Sequence, residues 1–317
     1  MRVWALAFSI HVLYAQRLWP SENKFLKQRC GAKFLPEPDP GFCYPNGKCS
    51  KLVSFGGRFL KKNEFPWMAS IYIGTRTCSG VLISPRHVLT AAHCVMKSFD
   101  DILTEGQCKL IKHRNVRRLF GRAEDFRIVL GTRCIVPEKC KKDAVTPRQM
   151  FYHEDYNECT NKHDLAVFEI KDVSRYRAMP ICTAGPKSRI AKTLQLAGHG
   201  VTSPEDNATT AGYQVVNATF LEQQDNYIIT SSDAGVGICS GDSGGPLFQN
   251  NRRRKHEVVG IMSYGNTCDK NWKRKKAAGK GEDINDHFTD VTQHSDWICK
   301  TTGVCSAREQ RSRRWIS

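Results

Sequence analysis

The sequence predicts an all-β protein that closes on itself and ends in one short helix. Two observations point there. From Phe65 onward, short apolar runs recur between turn signals, at 68–73, 80–83, 126–130, 165–170, 193–197, 213–221, 246–248, 258–262 and 288–291. Strands of that length and spacing build sandwiches and barrels. The 317 residues also suit one all-β unit of two packed barrels, with enough chain to bury a sizeable core.

Along the chain, residues 1–15 read as a signal peptide. Arg2 is a short basic start, 3–13 is apolar, and Leu13-Tyr14-Ala15 is a cleavage site. The apolar run is too short to span a bilayer, and no later run does better. The mature chain is expected to begin near Gln16. Residues 16–53 are rich in Pro, Gly and Lys and carry Cys30, Cys43 and Cys49, with no helical or alternating apolar pattern. They read as a pro-segment or a tethered arm. Residues 54–300 hold the β unit. Its end, 290–300, has the apolar spacing of a short helix with Trp297 and Ile298 inward. Residues 301–317 form a basic C-terminal tail.

Fourteen cysteines with no CxxC pair suit an oxidising, extracellular compartment. Asn207-Ala208-Thr209 and Asn217-Ala218-Thr219 are glycosylation acceptors. The net charge is +17, and basic runs stand at 252–255 and 273–276 and in an insertion around 109–133. Such runs are solvated loop tips or an anion-binding surface for a sulfated glycan or an acidic protein. No nucleic-acid-binding motif accompanies the charge. His199, His256, His287 and His294 are scattered, without HExxH or Cys–His ligand spacing, so no metal site and no cofactor are read.

Three segments carry chemistry. Thr90-Ala91-Ala92-His93-Cys94, His163-Asp164-Leu165-Ala166-Val167 and Gly241-Asp242-Ser243-Gly244-Gly245-Pro246 occur in that order. Covalent catalysis needs a nucleophile, a base and a group that orients the base. Glycines around Ser243 allow a tight turn and close approach to substrate. The backbone N–H groups of Gly241 and Ser243 can then face a developing oxyanion, where one donor is worth about 2.7–4 kcal/mol in the transition state. His93 follows the apolar run 88–92. Asp164 precedes Leu165-Ala166-Val167, so its carboxylate lies near apolar cover, where it would hold the imidazole in one tautomer. Asp155 is its nearest rival, but Tyr156-Asn157-Glu158 follow it instead of a strand.

On these residues the chain resembles the chymotrypsin-like (trypsin-like) serine proteases. The resemblance spans about 54–300 and includes Phe65-Pro66-Trp67, Cys78-Ser79-Gly80, Gly198-His199-Gly200 and Phe288-Thr289-Asp290-Val291. It implies two packed six-stranded antiparallel barrels, with His93 and Asp164 from the first and Ser243 from the second. It also implies that Ser263-Tyr264-Gly265 pair with substrate backbone. The partners expected are protein or peptide substrates and a protein inhibitor. By the same resemblance Cys78 pairs with Cys94 and Cys239 with Cys268. Cys182 tethers the pro-segment through Cys30, Cys43 or Cys49. Cys108, Cys134, Cys140, Cys159, Cys299 and Cys305 have no partner legible in the sequence.

The chain departs from that pattern. A new N-terminus should pair with Asp242 after cleavage, yet 53–57 carry no basic residue directly before Ser54. Cleavage after Lys51, another activation route, or weak activity all fit. On the floor of the specificity pocket, where the trypsin branch has an acid, this chain has Gly237. Asp286 falls on the pocket wall, as a weaker attractor for Lys or Arg or as a solvated loop residue. The functional expectation is a secreted serine endopeptidase made as a zymogen. The alternative is a catalytically silent, protease-like binding protein that uses its basic surface.

Overall fold

The computed structural model describes residues 16–32, 57–96, 119–171, 178–201, 212–232, 238–265 and 285–306. Seven strands come from the first half: β1 (Arg58–Phe59), β2 (Met68–Ile73), β3 (Arg76–Ser84), β4 (His87–Thr90), β5 (Arg127–Leu130), β6 (Gln149–Tyr152) and β7 (Ala166–Glu169). Seven follow: β8 (Cys182–Thr183), β9 (Thr193–Gly198), β10 (Gln214–Gln224), β11 (Tyr227–Ser231), β12 (Pro246–Asn250), β13 (His256–Tyr264) and β14 (Asn285–Asp290). Among the described residues two α-helices flank them, α1 (Pro20–Arg29) and α2 (Ser295–Thr302).

The first sheet is antiparallel, in the order β5-β2-β3-β4-β7-β6. Its ends are joined by reciprocal backbone bonds of 2.9 and 2.8 Å between Ile128 in β5 and Val145 just ahead of β6. In the second sheet the pairings run β9-β10-β11-β14-β13-β12 and return to β9. The all-β expectation holds, with one difference in the second unit. β1 adds to β10, and β8 lies parallel to β13, so this sheet has eight strands and is not purely antiparallel. Strands of two residues give no periodicity to read.

Strand chemistry follows burial. β2 is buried at five of its six positions, and its sequence is a nearly continuous apolar run, as a strand covered on both faces requires. In β10, Val216 and Ala218 turn inward while Asn217 and Thr219 face solvent. The two sheets meet through aromatic rings. Phe65 lies edge-on to Phe248 of β12 at 4.9 Å, and Trp67 to the same ring at 6.0 Å. Trp67 and Phe248 are at most 1% exposed. Such side chains each stabilise by roughly 1.5–3 kcal/mol relative to exposure, and edge-to-face geometry suits their quadrupoles.

The N-terminal arm corrects the expectation of no helix between 16 and 53. α1 buries only Asn23 and Leu26, so no apolar stripe betrays it in the sequence. Its capping is local: Pro20 opens it, and Glu22 accepts the Trp19 N–H at 2.7 Å. Several contacts dock the arm. Cys30 is bridged to Cys182, Asn23 Nδ2 donates to Cys305 O at 3.0 Å, and Arg86 grips Glu22 through two bonds of 2.9 Å. The arginine holds the Glu22 carboxyl below its ordinary value, but an exposed pair of this kind contributes only about 0–1 kcal/mol. The disulfide, closing a separation of 152 residues, is the stronger tether, at roughly 4–5 kcal/mol in the chain-entropy account.

α2 starts at Ser295 rather than Asp290. Asp290 Oδ1 accepts both the backbone N–H (2.8 Å) and the hydroxyl (2.6 Å) of Thr292, which holds 290–294 in a turn. Residues 303–306 pack beyond α2, and Cys305 closes back on Cys299. Cys78–Cys94 forms as expected, and Cys134 pairs with Cys140. Cys239 is disulfide-bonded. Its expected partner Cys268 lies outside the described residues, as do Cys43, Cys49, Cys108, Asn207, Gly237 and the stretch 51–56. Asn217 stands exposed on β10.

Candidate active site

β4 ends at Thr90, and the chain turns into a short 3-10 helix, Ala92–Cys94, that carries His93. β4 pairs with β7, Thr90 opposite Ala166. That register brings the residues just after β4 beside those just before β7, which include Asp164. The result is a two-point grip. Asp164 Oδ2 lies 2.7 Å from His93 Nδ1, and Asp164 Oδ1 accepts the His93 backbone N–H at 2.9 Å. Ser263 Oγ donates to Oδ2 at 2.6 Å, so the buried carboxylate has three partners. His93 keeps some solvent contact, with 23% of its side chain exposed against 0% for Asp164. Burial pulls the imidazole pKa down. The charge and hydrogen bond of Asp164 outweigh it and hold His93 above the ordinary value.

Ser243 sits in the turn before β12. This turn presses on β3 and β4: the N–H of Ser79 in β3 donates to Ser243 O at 2.8 Å, and a Cβ on Gly244 would run into Thr90 Oγ1 of β4. Gly244 (φ +78°) and Gly241 (φ +101°) both take left-handed backbone, which glycine alone adopts cheaply. The amides of this turn divide cleanly. Those of Asp242, Gly244 and Gly245 donate to Cys239 O, Met262 O and Asp242 O. Those of Gly241 and Ser243 make no bond among the described residues. Two donors therefore stay available beside the serine, at the positions expected of an oxyanion hole. Among the described residues no hydrogen bond joins His93 to Ser243. The contact on His93 Nε2 is Cys94 Sγ at 3.9 Å.

Asp242 turns away from the cleft. Its oxygens accept the N–H groups of Gly200 (2.8 Å) and Cys239 (2.9 Å). Burial lifts its pKa to about 6, against the lowering effect of those two bonds. Asp286 is not a solvated loop residue: it lies in β14 at 1% exposure. It faces Gly265 and Ile238. A Cβ on Gly265 would meet Asp286 Oδ1 at 2.4 Å and the Ile238 side chain at 2.6 Å. Gly265 thus leaves the space the carboxylate occupies. Asp286 Oδ1 has no partner among the described residues, and burial, then the charge of Asp242, raises its pKa to about 7. Tyr264 is exposed and stacks on His287 at 4.3 Å.

No residue pattern signals the Ser263–Asp164 bond. Ser263 reads as part of a substrate-pairing edge, and β13 slips register against β14 between Met262 and Tyr264. At that irregularity the hydroxyl meets the Asp164 carboxylate. Nothing in sequence spacing signals a bulge.

A protein-family model described as Trypsin matches residues 54–298. Mannan-binding lectin serine protease 1 of Mus musculus is 24% identical over 79% of this chain, and the match covers 35% of that protein. The chain therefore spans about a third of the length of that relative. The phenoloxidase-activating enzyme of Bombyx mori is 28% identical over 81% of this chain and 64% of its own. Glandular kallikrein of Sus scrofa is 27% identical over 67% and 85%. A solved structure, human heparin binding protein, superposes with a TM-score of 0.55 at 23% identity, covering 77% of this chain and 94% of that one.

Proposed function

The chain belongs to the trypsin family, and from that premise we propose that it is a secreted serine endopeptidase, made as a zymogen, that cleaves peptide bonds through an acyl-enzyme on Ser243. The observation that carries this reading is the pairing of a gripped imidazole with a serine flanked by two unspent amides. In the general triad mechanism, the worked template for this family, Ser243 Oγ bonds to the scissile carbonyl carbon as His93 takes its proton. The oxyanion rests on the Gly241 and Ser243 N–H groups. His93 then gives the proton to the departing amine, and water repeats the sequence to release the acid. Asp164 keeps the imidazole in one tautomer and balances the imidazolium.

Asp242 supports the zymogen part. Its partly buried carboxylate has only backbone amides as described partners, a state that an inserted ammonium would stabilise. Gln16, the expected first residue of the secreted chain, has its backbone nitrogen 2.7 Å from Glu169 Oε2. Signal cleavage there would set a new ammonium on a buried carboxylate.

Specificity follows from Asp286. With glycine, Gly237, at the sequence position where the resemblance expects a floor acid, a wall carboxylate is the anion left for a substrate cation, and apolar side chains leave no floor charge unpaired. Lys and Arg are then accepted without exclusivity, beside Leu, Phe and Met. Asp286→Gly is expected to lower kcat/KM for Lys and Arg peptides by roughly 30-fold or more, since losing one partner of a buried charge pair costs about 2 kcal/mol upward. Phe and Leu peptides should change far less. The ratio of Lys to Phe hydrolysis should also rise with pH through about 7, because the acid attracts a cation only when ionised. His93 affects both substrates and cancels in that ratio. Equal losses on all substrates would make Asp286 structural.

The basic surface supports a sulfated glycan as partner. Lys27, Lys187, Arg189, Arg252, Arg253 and Lys255 line one groove of about 910 Å³ between α1 and the β12–β13 hairpin. Clustered cations over a groove attract a polyanion with strong salt dependence. Elution from heparin well above physiological salt is expected. Elution at or below it would return these cations to solvated loop tips. The second reading, a silent binding protein, draws on the missing basic residue before Ser54.

A further inference from the structure

We propose that His153, His163 and His294 form a Zn²⁺ site beside the triad, open at one coordination position. His294 lies 131 residues beyond His163, which hides the set from any short ligand-spacing rule. The fold gathers them: His153 just after β6, His163 directly before Asp164, and His294 at the start of α2. One ring nitrogen from each lies within 4.8 Å of the others. The second cluster of possible ligands, Cys78, His93 and Cys94, contains a disulfide and so offers no thiolate.

The tautomers are set by local bonds. His294 Nδ1–H donates to Asp290 O at 2.7 Å, which leaves the lone pair on Nε2. That nitrogen stands 3.0 Å from His163 Nδ1. A backbone carbonyl behind a ligating imidazole is the usual second layer of a metal site, and it fixes both tautomer and ring orientation. His153 lies parallel to His163 at 4.8 Å and edge-on to His294 at 5.3 Å. Trp297 closes the apolar side of His153 at 5.2 Å. His153 Nδ1 also accepts the Asp155 N–H, at 3.2 Å the longest bond of the group.

Without metal, His163 Nδ1 must carry the proton that bridges to His294 Nε2. Binding replaces that hydrogen bond, and the Asp155 N–H bond to His153 Nδ1, with bonds from the nitrogens to the cation, and the His163 proton moves to its Nε2. Imidazole nitrogens favour zinc over hard cations such as Mg²⁺ and Ca²⁺. Three histidines with a fourth position left for water make a familiar tetrahedral set. His153 and His294 are buried, while His163 is partly exposed and gives the ion a way in. The site would tie the Asp164 segment and β6 of the first sheet to the start of α2.

The test uses the full chain carrying Ser243→Ala, which prevents self-digestion and leaves the cluster intact. Titration with ZnCl₂ by calorimetry should show one ion per chain. At a hundredfold excess over Kd, Tm should rise by roughly 5–10 °C. His163→Asn, at the partly exposed ligand, should weaken binding by roughly tenfold or more. Because His153 and His294 variants can misfold, the direct measurement is a zinc-soaked crystal. Anomalous density bonded to three ring nitrogens at about 2.0–2.1 Å is expected. Density on His93 instead, unchanged affinity in His163→Asn, or no stoichiometric binding would overturn the proposal. None of these readouts depends on peptidase activity.

Discussion

Ser243→Ala is expected to lower kcat/KM by roughly six orders of magnitude while leaving Tm and the disulfide pattern unchanged. The size follows from how a triad works. Its members act as a unit, so removing the nucleophile or the base alone costs about as much as removing both. The change is structurally mild. Ser243 holds the turn through its carbonyl, which accepts the Ser79 N–H, and that bond survives the substitution. The left-handed glycines at 241 and 244 are untouched, and so are the two free amides. Residual hydrolysis should therefore stay measurable above water. Progress curves on a chromogenic peptide, with the wild-type chain at matched concentration, check it. If Ser243→Ala kept most of the activity, Ser243 would not be the nucleophile.

Asp164→Asn is expected to lower kcat by roughly 10⁴-fold, the loss the family's triad template assigns to a wrong tautomer. Here the geometry adds a pH signature. Asp164 is what holds the His93 pKa above its ordinary 6.5 against the opposing effect of burial. His93 works as base only when neutral, so wild-type kcat/KM should fall as pH drops through that raised value. With Asn at 164 the raising charge is gone and burial remains, so the fall should move to lower pH. An amide keeps its oxygen on the His93 N–H, and its NH2 can donate to Ser263 Oγ in place of the present bond, so folding should be nearly unaffected. A pH–rate series on both proteins checks the sign. An unmoved profile would mean that another group orients the base.

Much of this site was readable because triad chemistry needs particular residue types in tight frames. His93, Asp164 and Ser243 stood out by their neighbours, and most strands longer than four residues showed as apolar runs. What stayed hidden had physical reasons. α1 carries only two buried side chains, so helical spacing could not reveal it. β1 and β8 are two-residue edges. Cys30 could not be chosen over Cys43 and Cys49, because pairing depends on where the arm docks. Ser263 reaches Asp164 through a register slip. The three histidines meet across loops from three separate elements. Asp286 could be placed near the pocket by resemblance, but its burial and its unpartnered oxygen belong to the packing of β14 against Gly265.

Ser243 acts in this proposal as an activated nucleophile. Active-site labelling with a fluorophosphonate tests it most directly, before and after limited proteolysis, with N-terminal sequencing of the labelled chain. One probe per chain on Ser243 is expected after cleavage near 51–57, with little before it and none in Ser243→Ala. A folded, fully cleaved chain that took up no probe would contradict the claim and leave a protease-like binding protein in its place.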